Sequence, residues 1–272
     1  MNLKNKTIVI TGSSRGIGRE IALRCARDGA NLVIVGKSAE EGKLPGTIFS
    51  VAAEVEAAGG RALAVQTDVR SDEQVEELIK KTVDRFGGIN ALINNAGAIQ
   101  LTALEHTQPK RMDLMLGINL RAVLLCSHFA IPHLKKADGG HIINLSPPIS
   151  LDPKWFGNHT PYTISKFGMS MATIGLAEEL RPYNIGVNSL WPRTLIATAA
   201  VNMLMGQDGI AQSRTPEIMA DAAYEILKSD PNKLSGNMLI DEPFLRERGY
   251  TDFEKYGQGK DADLMLDLYV EK

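Results

Sequence analysis

No stretch of this 272-residue chain approaches 18 uninterrupted apolar residues, so a membrane-crossing helix is not expected. The N-terminus, MNLKNKTIVITGSS, has too short an apolar run for a signal-peptide core. Neither sign of charge is in excess: 30 Lys and Arg against 32 Asp and Glu leave a net charge of −2. That balance removes the electrostatic case for nucleic acid or an anionic membrane as a partner. Cysteine is scarce, and Cys25 and Cys126 form no ligand cluster; both read as buried thiols of a reducing, cytoplasmic protein, with no metal site. There is no internal repeat, low-complexity segment or compositional shift of the kind that marks a linker, which favours one domain over two.

What is present is an alternation of two periodicities. Residues 7–11 (TIVIT) form a β-branched run closed by Gly12, the pattern of a strand buried on both faces. Ile17, Ile21 and Cys25 follow at helical spacing, ending at Gly29. Strand-like runs recur at 32–35, 62–65, 91–93, 141–145 and 186–190. Helical patterns lie between them, after Thr47 and after Ser71, over 112–136 and over 162–181. Ser71 with Gln74 reads as a capping box. A strand and a helix about every 25 residues predict an α/β fold: a doubly wound parallel sheet with helices on both faces, a Rossmann fold. The polar, weakly periodic residues 242–272 read as a surface extension of the domain formed by 1–241.

The sharpest local signal is the turn Thr11-Gly-Ser-Ser-Arg-Gly-Ile-Gly18 between the first strand and helix. A pyrophosphate needs backbone N–H groups at a helix N-terminus with no Cβ in the way. Gly12, Gly16 and Gly18 meet that need, with Ser14, Arg15 and Ile17 completing the turn. The second strand ends Val35-Gly36-Lys37 with no acid at the turn, and Arg15 can reach the same place. Two cations and no carboxylate favour NADP(H), with its 2′-phosphate, over NAD(H), which stays possible; Glu40 and Glu41 nearby count against.

The turn, Asp68-Val69 after the third strand, Asn94-Asn-Ala-Gly97 after the fourth, Asn119, and Tyr162-x-x-x-Lys166 occur in an order that resembles the short-chain dehydrogenase/reductase family across nearly the whole chain. The long KSAEEGKLPGTIFSVAAEVEAAGG connection, INLSPP and WPRTLIATAA look closer still to its hydroxysteroid dehydrogenase-like protein 2 branch. Members of that branch can carry a C-terminal sterol-carrier domain, for which this chain leaves no room.

The resemblance implies that Tyr162 is the general acid/base for a carbonyl/alcohol pair. An ordinary Tyr has a pKa of about 10, and the Lys166 ammonium one helical turn on is expected to favour its phenolate. Lys166 would also bond the nicotinamide ribose, and Asn119 would hold a water linking Lys166 to solvent. Asp68 and Val69 would contact the adenine, and Asn95, Ala96 and Gly97 would wall the adenosine ribose. Pro192, Ile196 and Thr198 would meet the nicotinamide carboxamide and the phosphates, beside a substrate lid near 193–215 that includes Met203, Leu204 and Met205. The family's dimers and tetramers form through the helix that begins at Tyr162. Here Ile164, Phe167, Met171 and Ile174 among its small residues imply a homodimer or homotetramer.

Two departures matter. The family has two serines after its fifth strand, the second polarising the substrate carbonyl; this chain has Ser146-Pro147-Pro148. Proline offers no donor, so Ser146 turns inward, or Ser150 substitutes, or the second donor is missing; Ser146 is the expectation. Pro192-Arg193 replaces the usual Pro-Gly and puts a cation near the mouth, which suggests an acidic or acyl-CoA-like substrate. His159, in the loop before Tyr162, reads as non-catalytic. The competing function is a cofactor-binding sensor or scaffold with little turnover.

Overall fold

The structure is a computed structural model that describes residues 2–42, 44–137, 139–257 and 263–271. Among the described residues, seven parallel strands form one sheet. They are β1 (Thr7–Thr11), β2 (Asn31–Gly36), β3 (Arg61–Gln66), β4 (Ala91–Asn94), β5 (Gly140–Asn144), β6 (Ile185–Trp191) and β7 (Met238–Ile240). Their order, β3-β2-β1-β4-β5-β6-β7, reverses winding direction between β1 and β4. Sheets of this kind bind ligands outside the carboxyl ends of the strands at such a switch point. The strands β1, β4, β5 and β6 are buried along their whole length, which is why they read as continuous apolar runs rather than alternating ones.

One face is covered by α1 (Gly16–Ala26), α2 (Ile48–Ala57) and α8 (Glu217–Lys228), the other by α3 (Asp72–Phe86), α5 (Ala122–Lys136) and α6 (Thr160–Leu180). Cys25 and Cys126 belong to opposite layers and are free and buried; burial pushes both thiols up to about 12. Thr47 makes a complete capping box with Ser50 at the start of α2. At α3, Ser71 Oγ accepts from Gln74 N at 3.3 Å, but the Gln74 side chain reaches back to Asp68 N (2.7 Å) instead of closing the expected pair.

The expected helix over 112–136 begins earlier and is not uniform. It runs as α4 (Pro109–Met115), a π-helical segment (Leu116–Arg121) and α5. This continuous helix is long and apolar enough to cross a membrane by composition, although no uninterrupted apolar run marks it. In the fold it is a core helix: Met115, Ala122, Val123, Cys126, Ala130 and Leu134 are buried. Beyond β6 the chain adds α7 (Ala199–Ala211), broken at Gly206 by a φ of 64°, and α9 (Asp241–Glu247). The described residues after Asp241 do not form the expected surface extension. Phe244, Leu245, Phe253, Tyr256, Tyr269 and Val270 are all buried, because this segment folds back over the carboxyl ends of β5 and β6 and completes both a core layer and the site.

Candidate active site

The glycine turn is built by close backbone approach. Gly12 and Gly16 have φ of +67° and +57°, a left-handed conformation that favours glycine. A Cβ on Gly12 would lie 2.8 Å from Ala96 Cα, and one on Gly18 would lie 2.6 Å from Asn95 Nδ2 and 2.8 Å from Gly12 O. Asn95 pins the turn: its Nδ2 donates to Thr11 O (2.8 Å) and Gly12 O (2.9 Å), and its N–H donates to Thr11 Oγ1 (3.0 Å). The N-terminus of α1 has no side-chain cap, whereas α2, α3 and α7 are capped by Thr47, Ser71 and Thr198. Thr198 brings the β6 loop up to this turn, its methyl 3.6 Å from where a Gly16 Cβ would be. An eleven-residue helix that opens without a side-chain cap, on a turn of closely approached glycines, fits a dinucleotide pyrophosphate. Ser14 and Ile17 lie within the same turn, Ser14 beside Gly36 and Ile17 against the core.

At the end of β2, Arg15 donates to Pro45 O (3.1 Å), Gly46 O (2.8 Å) and Ser38 Oγ (3.1 Å). Lys37 is exposed and lies 3.1 Å from Asp68 Oδ2. The Asp68 carboxylate also takes both arms of Arg70, at 2.9 and 2.6 Å, which hold it well below the usual carboxylate range. With its backbone N–H on Gln74, Asp68 offers an adenine little but an ordered edge. The Val69 side chain packs in the core, leaving its backbone as the part that can face a ligand. Ala96 backs Gly12, and Gly97 lies beside Asn119, 3.7 Å from its Oδ1 to a Cβ built on the glycine.

The catalytic candidates sit where α6 crosses the ends of β5 and β6. Lys166 is buried, donates to Leu145 O (2.7 Å), and its ammonium lies 5.0 Å above the Trp191 ring. Burial pushes it down to about 8, against an opposing pull from Asp267. Tyr162 departs from expectation. Burial first, then Tyr269 and Asp267, raise its pKa well above the ordinary phenol value. The expected phenolate is therefore not favoured here: the Lys166 ammonium is turned to a backbone carbonyl, and the ring is enclosed by neighbours.

Asn119 lies in the π segment with no exposed surface. Its Oδ1 accepts from Ala98 N (2.8 Å) and its Nδ2 donates to Ala98 O (2.9 Å) and Ser165 Oγ (2.9 Å). The side chain thus clamps the loop after β4 to α6, with both its N–H groups used. Ser146 is fully buried and its Oγ has no partner, while Ser150 is half-buried on the following loop and accepts from Asp152 N at 3.3 Å. Pro147 O accepts from Ser170 Oγ (2.6 Å), fixing that loop to α6. Pro192 and Ile196 are buried at the start of the β6 loop.

Arg193 is not the free cation expected at the mouth. Its guanidinium pairs with Glu242 Oε1 at 3.0 Å, and its N–H donates to Asp241 Oδ1 (2.8 Å). Glu242 is buried, and burial alone would raise its pKa; Arg246, Arg193 and Arg214 together hold it low. Arg193 thus shares the single Glu242 carboxylate with Arg214 and Arg246, and the mouth keeps a positive excess. Met203, Leu204 and Met205 in the expected lid are exposed.

Sequence reasoning missed the C-terminal segment. It crosses the site from the β6 loop, through Leu195 N to Met265 O (2.9 Å) and Asp267 N to Arg193 O (3.0 Å), to the loop before α6, where Lys154 pairs with Glu271 (2.7 Å). Trp191 Nε1 donates to Leu268 O (2.8 Å), and the Tyr269 hydroxyl lies 3.0 Å from Thr163 Oγ1. The alternation of Leu264, Leu266, Leu268 and Val270 is the signal that could have marked this segment as extended and packed.

The chain matches the short chain dehydrogenase family over residues 6–207. It is 52% identical over 266 residues to the zebrafish (Danio rerio) hydroxysteroid dehydrogenase-like protein 2, an alignment that covers 97% of this chain and 64% of that protein. A short chain dehydrogenase of Mycobacterium thermoresistibile superimposes with a TM-score of 0.94 at 48% identity, covering 99% of this chain and 96% of that one. A metagenomic short-chain oxidoreductase solved in complex with NADP superimposes with a TM-score of 0.73 at 26% identity, covering 88% and 97%. A turn that fits a pyrophosphate, a Tyr and a Lys one turn apart at the switch-point end of the sheet, and relatives that extend the match along the whole chain agree: this protein belongs to the short-chain dehydrogenase family.

Proposed function

We propose that the protein is an NADP(H)-dependent oxidoreductase acting on a carbonyl/alcohol pair. The observation that carries this reading is the placement of Tyr162 and Lys166 on one face of α6, at the same edge of the sheet as the uncapped glycine turn. When bound, NADP(H) supplies or accepts hydride. Gly12, Ser14, Arg15, Gly16, Ile17 and Gly18 hold its pyrophosphate end. Arg15 and Lys37 meet the 2′-phosphate, and Pro192, Ile196 and Thr198 the nicotinamide end.

Tyr162 gives a proton to the carbonyl oxygen in reduction and takes it back in oxidation. Lys166, as an ammonium released from Leu145 O, stabilises the phenolate left behind. Asn119 acts by position, holding Ala98 and Ser165 around the helix start. Ser146 Oγ, buried without a partner, supports the role of donor to the carbonyl oxygen. A missing oxyanion donor costs about 3–4 kcal/mol.

A sensor with little turnover is the other reading, and Pro147 in the place of a second serine is its support. NADPH oxidation over a panel of ketones, aldehydes and 3-oxoacyl thioesters decides, with Tyr162→Phe as control. Turnover that depends on Tyr162 sustains the oxidoreductase; cofactor binding without it leaves the sensor.

Ile164, Met171 and Ile174 are each at least half exposed on α6, apolar surface that supports a homodimer or homotetramer. Sedimentation of Ile174→Glu against the unaltered chain tests it. Two free buried thiols accord with a cytoplasmic setting.

A further inference from the structure

Catalysis by Tyr162 requires its hydroxyl to touch the substrate, yet the residue is 4% exposed. Two rings lie against it: His159, with centroids 6.4 Å apart, and Tyr269. Tyr269 stacks on Tyr162 with centroids 6.5 Å apart and planes 28° apart. It also contacts the rings of Phe167 (5.1 Å), Trp155 (5.5 Å), His159 (6.1 Å) and Trp191 (6.1 Å). Its own hydroxyl ends on Thr163 Oγ1. One phenol thus fills a nest with aromatic walls and a hydroxyl partner at its far end.

Two further features suggest a ring that can leave. Tyr269 has a φ of +69°, a left-handed backbone that a bulky residue adopts only under strain. In addition, two rings that wall the nest carry a buried polar atom without a partner: His159 Nε2 and Trp155 Nε1. A nest filled by its final occupant would leave fewer such atoms unsatisfied.

We propose that the nest now filled by the Tyr269 ring is the subsite for the non-reacting part of the substrate. A substrate enters by displacing that ring, which selects carbonyl compounds carried on a flat, ring-sized apolar body, such as aryl ketones. The proposal rests on the oxidoreductase reading, since it assumes that the carbonyl is delivered to Tyr162. Displacement gives up the ring contacts just named, which a flat substrate body would replace, together with Asp267 N to Arg193 O, Trp191 Nε1 to Leu268 O, the Thr163 contact and the exposed Lys154–Glu271 pair.

The probe is 4-methylphenol, the detached tyrosine side chain. By calorimetry on the full chain, Tyr269→Ala is expected to bind it at least tenfold more tightly than the unaltered protein does. The same variant is expected to raise turnover of 4-hydroxyacetophenone relative to the linear 2-octanone. In the unaltered chain, 4-methylphenol is expected to speed hydrogen exchange at the amides of Asp267 and Val270, a readout that needs no variant to fold. Equal affinities in the two proteins, or exchange unchanged at 4-methylphenol concentrations that saturate the variant, overturn the proposal. Binding of 4-methylphenol needs no chemistry, so a lack of turnover on every carbonyl defeats the oxidoreductase reading while this measurement still reports on the nest.

Discussion

At the β1–β4 end of the crevice the walls are backbone, and the tolerance is a few tenths of an ångström: Gly12, Gly18, Ala96 and Asn95 meet with no room for a Cβ. At the β5–β6 end the walls are side chains, many of them rings, and Tyr162 lies between His159 and Tyr269, the latter from the segment after α9. The first region is a finished mould for a ligand shared by many enzymes. The second is a packed cluster in which Tyr162 itself is buried. One family can thus keep a cofactor site constant while substrates vary, because only side chains and a terminal segment need change at the second end.

If the two regions are separable, substitutions in each should leave the other's measurement alone. The largest effect is expected for Tyr162→Phe, which should lower kcat about 10²–10⁴-fold with NADPH affinity unaltered in calorimetry. A parallel loss of NADPH binding would mean that the two ends form one unit. Gly18→Ala forces a Cβ into Asn95 and the Gly12 carbonyl and should weaken NADPH binding about tenfold or more, some 1.4 kcal/mol per factor of ten. Fluorescence titration checks it, and unchanged affinity would show the mould to be softer than its contacts imply.

Lys37→Asp acts at the rim, where solvent weakens each charge, and should lower the preference for NADPH over NADH about tenfold. An unmoved ratio would assign the 2′-phosphate to Arg15 alone. The smallest effect concerns Asp241, which anchors the Arg193 loop beneath the substrate end. Burial raises its carboxyl to about 7 from an ordinary 3.8. The folded chain therefore keeps that proton up to about pH 7, while the unfolded chain releases it near 3.8. The stability this group contributes is present below 3.8 and lost as pH rises through 7. Asp241→Asn still accepts from Arg193 N and should gain a few degrees in Tm over the parent between pH 4 and pH 7. Parallel melting curves would show that Asp241 is not protonated in the fold.

The first region could be read in the sequence because its information is local. Strand, glycine turn and helix are contiguous, and the positive φ at Gly12 and Gly16 is written in residue type. The strands through β6 announced themselves in the same way, as buried apolar runs. The second region depends on contacts across the chain: Tyr269 meets Thr163, 106 residues away, and Trp191 meets Leu268, 77 away. No periodicity within a window reports such a partner. The three-residue β7 is too short and too partly buried to leave a pattern. Arg193 looked available because Glu242, its partner, is 49 residues distant. The Tyr162 environment was misjudged for the same reason, since Asp267 and Tyr269 dominate it after burial.

The π segment between Leu116 and Arg121 means that the helix carries more residues over this stretch than a uniform α-helix of equal length would. Such a helix answers length changes and side-chain changes differently. Deleting one residue between 116 and 121 would let the ladder close as ordinary α-helix, with the flanking turns keeping their faces while the segment itself rewinds. Asn119 would then leave Ala98 and Ser165, and the loop after β4 would lose its hold on α6. At this place, removing a single residue should do more harm than replacing any exposed one.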